Sequence, residues 1–251
     1  MRRWLALLCL IALPCQADET IVAGLSQANV SITTDFVGSE ILIYGAVKRE
    51  TPAPEGALEV IVTVEGPPAE MTVRRKDWVW GIWINDAEVV VDRAPIFYAI
   101  ATTGRLEEIL SETEDLRHKI SIPRAIRAVG TTDEAEGSDL FVEALIRLRA
   151  ARGSYLDSQG SVRLTEGTLF RTDIALPSNL TEGDYRVRIF LTREGRVVDM
   201  LERGIRVRKA GLEQFFTRMA HEQPLLYGLL ALLIAGLAGW AASAAFRFIR
   251  I

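Results

Sequence analysis

Hydrophobic and polar positions along this chain follow distinct rhythms, and each rhythm predicts a different element. Two blocks are apolar almost throughout, Trp4–Leu13 near the start and Leu225–Phe246 near the end. From Asn29 to about Thr103, short apolar runs alternate with polar positions and stop at turn residues, the period-2 signature of strands. Val30–Thr34 alternates, Glu40–Val47 is β-rich, and Leu58–Glu65 ends at Gly66-Pro67-Pro68. Met71–Asn85 is long enough for one bent strand or two, with Gly81 at the bend, and Val89–Val91 and Phe97–Ala101 complete the set. The period then lengthens. Leu106, Ile109, Leu110, Leu116 and Ile120 predict a helix over Arg105–Lys119, stopped soon after by Pro123. A polar, acidic connector, Thr131–Gly137, leads to a second helix from Ser138 to Arg152, with Leu140, Phe141, Ala144, Leu145 and Leu148 on one face and Gly153 just past its end.

Strands return from Tyr155. The run Leu180-Thr181-Glu182-Gly183-Asp184-Tyr185 before Arg186–Leu191 is similar to the tyrosine corner of immunoglobulin-like sandwiches, where the Tyr hydroxyl closes back onto upstream backbone. Glu194-Gly195 predicts a turn into Val197-Val198, and Gly204–Val207 the last strand. The fold class expected is mainly β: immunoglobulin-like sandwich modules at 24–103 and 154–209, a helical segment at 104–153 between them, and a C-terminal transmembrane helix. One composite sandwich interrupted by the helices is the main alternative.

The terminal blocks concern membranes. Arg2 and Arg3, the apolar stretch and Pro14-Cys15-Gln16-Ala17 predict a signal peptide over 1–17. Leu225–Phe246 holds 22 uncharged residues, about 33 Å of helix, enough to cross a bilayer. The expected span is 224–247, with a cytoplasmic tail at 248–251 that follows from an exported N-terminus and agrees with Arg247 and Arg250. Leu212, Phe215, Phe216 and Met219 share one face of an amphipathic stretch at 210–223, predicted to lie along the membrane surface. The chain is thus expected in a bacterial inner membrane, with its ectodomain in the periplasm.

Charge and cysteine narrow the chemistry. The chain has 29 basic and 33 acidic residues. Setting aside Arg2, Arg3, Arg247 and Arg250 leaves the exported part near −8, a poor balance for holding nucleic acid. Both cysteines, Cys9 and Cys15, fall in the leader, so neither disulfides nor thiol ligands are expected in the mature protein. His118 and His221 are the only histidines, with no second His or Cys nearby, and Asp133, Glu134 and Glu136 read as solvated charge. No nucleophile elbow, phosphate loop or dinucleotide fingerprint occurs. The expectation is therefore a non-enzymatic protein without cofactor or metal.

Two features point to interaction. Arg74-Arg75-Lys76 precedes a run in which Trp78, Trp80 and Trp83 fall within six residues. Alternation along one strand places Trp78, Trp80, Ile82 and Ile84 on one face, and Val79, Gly81 and Trp83 on the other. Burial of both faces would make this a core strand, whereas an exposed Trp83 or basic cluster would make it a docking surface. In the terminal block, Ala231, Ala235, Gly239 and Ser243 form a small-residue stripe suited either to a plain lipid anchor or to close approach of a partner helix.

The order of these features resembles a family of transmembrane proteins from alphaproteobacteria. The resemblance rests on Gly45, Val64-Glu65-Gly66-Pro67, Arg74-Arg75-Lys76 leading into Gly81-Ile82-Trp83-Ile84-Asn85, Pro95-Ile96-Phe97-Tyr98-Ala99, Gly183-Asp184-Tyr185 and the terminal anchor. It covers nearly the whole chain. It implies a topology and no catalytic residue, and, from a neighbourhood of sulfite-exporter-like permeases, a transport accessory. The partners expected are inner-membrane lipid and a membrane protein met through the transmembrane helix; the rival is a solute- or glycan-binding module using the tryptophans, or an enzyme with a carboxylate/Arg cleft.

Overall fold

The computed structural model describes residues 19–33, 36–50, 52–127, 138–209 and 219–249. The signal segment, the acidic connector and most of the 210–223 stretch lie outside them. The first strands are β1 (Glu19–Leu25), β2 (Asn29–Ile32), β3 (Ser39–Arg49) and β4 (Leu58–Glu65). They are followed by β5 (Pro68–Val79), β6 (Ile82–Pro95) and β7 (Tyr98–Thr102). Four helices come next: α1 (Leu106–Ile109), α2 (Glu112–His118), α3 (Ile122–Ala125) and α4 (Ser138–Ala151). The chain returns to strand in β8 (Tyr155–Ser158), β9 (Arg163–Thr165), β10 (Leu169–Leu176), β11 (Gly183–Arg193) and β12 (Arg196–Lys209), and ends in α5 (Pro224–Ile249).

The chain is mainly β, but its strands do not sort into an early and a late module. One sheet runs β1-β3-β10-β9 and the other β2-β12-β11-β4-β7-β8, so both mix strands from 24–103 with strands from 154–209. The two-module expectation gives way to the composite sandwich, and the reason is visible in β4. Leu58-Glu59-Val60-Ile61-Val62-Thr63-Val64-Glu65 is buried along nearly its whole length. A strand with apolar side chains on both faces must sit at the centre of a sheet with a layer above and below. β7 pairs along one edge of β4 and β11, more than 120 residues later, along the other. In the same way β3 lies between β1 and β10. β1 was not anticipated from the sequence pattern.

Three layers result. Val60, Val62, Val64, Val187, Ile189 and Leu191 face the first sheet, where Ile41, Ile43, Phe170 and Ile174 meet them. On its other face the second sheet presents Ile61, Tyr98, Ile100 and Phe190 to Ile109, Leu110, Ile120 and Leu145 of the helical layer. The helices are there for a topological reason. β8 pairs with β7 in parallel, so the chain must cross from one end of the sheet to the other between them. α1–α4 make that crossover, a βαβ element that the sequence reading did not foresee.

The helices themselves differ from expectation. The single helix over 105–119 is broken at Leu110-Ser111. The Ser111 amide donates to the Gly195 carbonyl at 2.8 Å, and its hydroxyl accepts from the Glu114 amide as the N-cap of α2. Pro123 stands in the first turn of α3, where its missing N–H costs nothing. α4 runs from Ser138 as expected, and Gly153 ends it with φ +67°. Its buried face is rotated, however: Leu145 is buried and Phe141, Val142 and Ile146 half-buried against the helical-layer core, while Leu140 and Leu148 face outward.

The tyrosine corner is present. Tyr185 donates from Oη to the Thr181 carbonyl at 2.8 Å, and burial raises its hydroxyl to about 12. At the far end, α5 carries a span from Pro224 to Ala244 with mean hydropathy 2.0, the one helix among the described residues long and apolar enough to cross a membrane.

Candidate functional site

The Trp-rich run is neither a single strand nor core. β5 and β6 form an antiparallel hairpin that reverses at Trp80-Gly81, with Val79 opposite Ile82 and Trp78 opposite Trp83. Both turn residues have positive φ, +52° at Trp80 and +87° at Gly81, the requirement of a two-residue turn whose twist matches its strands. Glycine adopts this freely, whereas a bulky aromatic does so at a cost. The reversal overturns the facial assignment made from straight alternation. Trp78 and Trp83 lie on the same face, ring centroids 5.2 Å apart and edge-on at 67°.

The hairpin is anchored at its base and bare at its tip. Val73, Val91 and Ala94 are buried in the helical-layer core, and Arg149 of α4 reaches the Met71 sulfur at 3.0 Å. Towards the turn, Trp78, Ile82 and Trp83 become exposed, and Trp80 is 98% exposed. Contiguous exposed aromatics of this kind mark contact surfaces. The basic run behind them is less positive than its sequence suggests. Arg74 pairs with Glu88 at 2.8 Å and Arg75 with Asp86 at 3.1 Å, while Lys76 sits opposite Asn85. Such exposed pairs contribute about 0–1 kcal/mol each, so they shape the hairpin surface more than they hold it.

In α5, Ala231, Ala235, Gly239 and Ser243 are all exposed, and a Cβ added at Gly239 would meet no atom within 4 Å. The stripe is therefore a shallow, uncovered groove along the span. His118 lies elsewhere, with Nε2 3.4 Å from Glu114 Oε2 and its ring edge-on to Phe190. Asp133, Glu134 and Glu136 lie outside the described residues.

Sequence reasoning missed two charged sites. Glu19 is buried where the first sheet meets the end of β11; it accepts from Arg193 Nε at 2.7 Å and from Arg49 Nε at 2.6 Å, while Arg193 also donates to the Gly56 carbonyl. The hydrogen bonds from Arg193 and then Arg49 hold its carboxyl below the usual range, against the opposing effect of burial. The other is Arg188, buried beneath the α2–α3 turn. The alternation of Arg186 and Arg188 against Val187 and Ile189 reads as a solvent face. Phe190 on the arginine side was the signal that a further layer covers it.

A three-layer β-sandwich carrying a projecting aromatic hairpin and a terminal membrane-length helix defines a membrane protein of the single-anchor kind. No curated protein matches the chain. Residues 20–248 match the family described as "Putative transmembrane protein (Alph_Pro_TM)", and the chain belongs to it.

Proposed function

We propose that this protein is a non-enzymatic, membrane-anchored interaction subunit that docks onto a membrane-protein partner, as an accessory of a transport complex. The observation that carries this reading is Trp80, a fully presented aromatic held at positive φ on a projecting turn. Backbone strain of this kind persists where the presented side chain has a use. The small-residue stripe of α5 would supply a second contact within the bilayer. The leader over 1–17 and the arginines after the span favour an ectodomain in the periplasm and a tail in the cytoplasm, and the tyrosine corner favours an immunoglobulin-like type of sandwich. Membrane lipid surrounds the helix, and no nucleic acid is called for.

The enzymatic rival needs a carboxyl held neutral in a buried site. The most buried carboxylate, Glu19, is pushed the other way. The solute-binding rival needs the tryptophans to line a concavity, and they stand on a convex tip.

The test is a gentle-detergent pull-down of tagged full-length protein beside two variants, Trp80→Ser with Trp83→Ser, and Ala235→Leu with Gly239→Leu. Co-purification of a membrane protein with the wild type, lost or strongly reduced in both variants, is the expected result. Co-purification of nothing, or retention by both variants, would sink the docking reading.

A further inference from the structure

A cleft of about 550 Å³ opens between the end of β11, the α2–α3 turn and the chain leaving α3. Its lining carries six arginines and one lysine against a single carboxylate, Glu65. In an acidic ectodomain this is a concentrated positive site. Part of the charge is answered locally. Arg186 reaches Glu65 at 2.5 Å, Arg117 reaches Glu114 at 2.6 Å, and Arg124 lies 3.6 Å from Glu112. Lys119, Arg127 and Arg188 form no ion pair with any described carboxylate.

Arg188 is the informative member, because it is only 7% exposed. Its Nη1 donates to the His118 carbonyl at 2.6 Å and its Nη2 to the Lys119 carbonyl at 3.0 Å, and its guanidinium lies 5.3 Å from the Phe190 ring centre. These are the last carbonyls of α2, where the helix end is partly negative. They orient the arginine but bring no full charge, and its Nε is buried with no hydrogen-bond partner. A buried cation without a counter-charge is costly unless something anionic completes it. The turn that holds it is rigid: Asp115 accepts from the Ile120 and Ser121 amides at 3.0 and 2.8 Å, and the Tyr98 hydroxyl donates to the Ile120 carbonyl at 2.6 Å.

We infer that this cleft binds a phosphate-bearing anion. A single carboxylate would answer one of the unpaired cations, whereas phosphate groups put two negative charges and several acceptor oxygens into a small volume and suit the planar fork of arginine. The same chemistry could reach the cleft as a water-soluble phosphate compound or as the headgroup of an anionic phospholipid. The inference is independent of the docking hairpin, which lies on other elements.

The full-length protein in neutral detergent is titrated calorimetrically at low ionic strength with two probes, inorganic pyrophosphate and short-chain dihexanoylphosphatidylglycerol. The variants are Lys119→Gln, Arg127→Gln and the double substitution, at positions outside the packed core, with thermal melts to check the fold. Saturable binding of pyrophosphate, about tenfold weaker in each single variant and about a hundredfold weaker in the double, is the expected result and identifies a soluble ligand. Saturation by the lipid probe alone, with the same loss in the variants, supports the site and identifies a headgroup. Saturation by neither probe, or variants that bind as the wild type does, would overturn it.

Discussion

Glu19 ties together three distant parts of the chain, because its carboxylate receives Arg193 from β11 and Arg49 from β3 while standing in β1. Glu19→Gln leaves two arginines without their counter-charge and should lower stability at neutral pH by about 3 kcal/mol in a denaturant melt. Because the folded state holds this carboxyl below its unfolded value, its contribution is complete above that unfolded value, near 4.5, and fades as pH falls through the lower, folded one. The wild type should therefore lose more stability than Glu19→Gln across that acid window. Trp80 poses the opposite case. Asparagine tolerates positive φ far better, so Trp80→Asn should raise stability by about 0.5–1 kcal/mol while removing the aromatic that docks. A melt and a pull-down on the same sample would separate the two effects, and a destabilised Trp80→Asn would count against strain at the turn.

Elements were readable where their side chains answer only to their own period. β10 alternates buried and exposed positions throughout, and the turn at Glu194-Gly195 follows from its residues. The tyrosine corner was legible for the same reason, since donor and acceptor lie four residues apart. Tyr185→Phe should cost about 1–2 kcal/mol by leaving the Thr181 carbonyl without its partner, measured by chemical denaturation. Close packing between elements is harder to foresee. A Cβ at Gly45 would stand 2.5 Å from the Phe170 ring and 2.6 Å from the Val22 carbonyl, across both neighbours of β3. Gly45→Ala should accordingly destabilise by about 1–3 kcal/mol, and a thermal melt unchanged from the wild type would contradict that packing. The Trp-rich hairpin was misread at this scale because one positive-φ residue at Trp80 turns a long strand into two short ones and exchanges its faces.

For the molecule as a whole, strand pairing across the helical crossover makes the ectodomain one cooperative unit. β3 with β10 and β4 with β11 are long-range ladders joining the two halves of the sequence. Fragments 19–103 and 154–209, expressed separately, should each show neither cooperative unfolding nor dispersed amide resonances, and a folded fragment would restore the two-module description. The same architecture explains how a cationic cleft can exist on an acidic protein. Arginines that are scattered singly along 93–188 converge only when the helical layer closes over the second sheet.

Local periodicity and length were enough, by themselves, to determine that the chain is mainly β, that a helical segment interrupts the strands, and that a membrane-length helix ends it. Those properties depend on each residue's neighbours within about a turn or a strand. They were also enough to single out the tryptophans, but not to say whether they were buried. Only the tertiary structure decided that the two halves share their sheets, that Trp80 stands on a bare tip, and that Arg188 is buried among cations. Each of these depends on which distant segment covers a given face, and period-2 alternation is the same whether that face meets water, a second sheet or a helix.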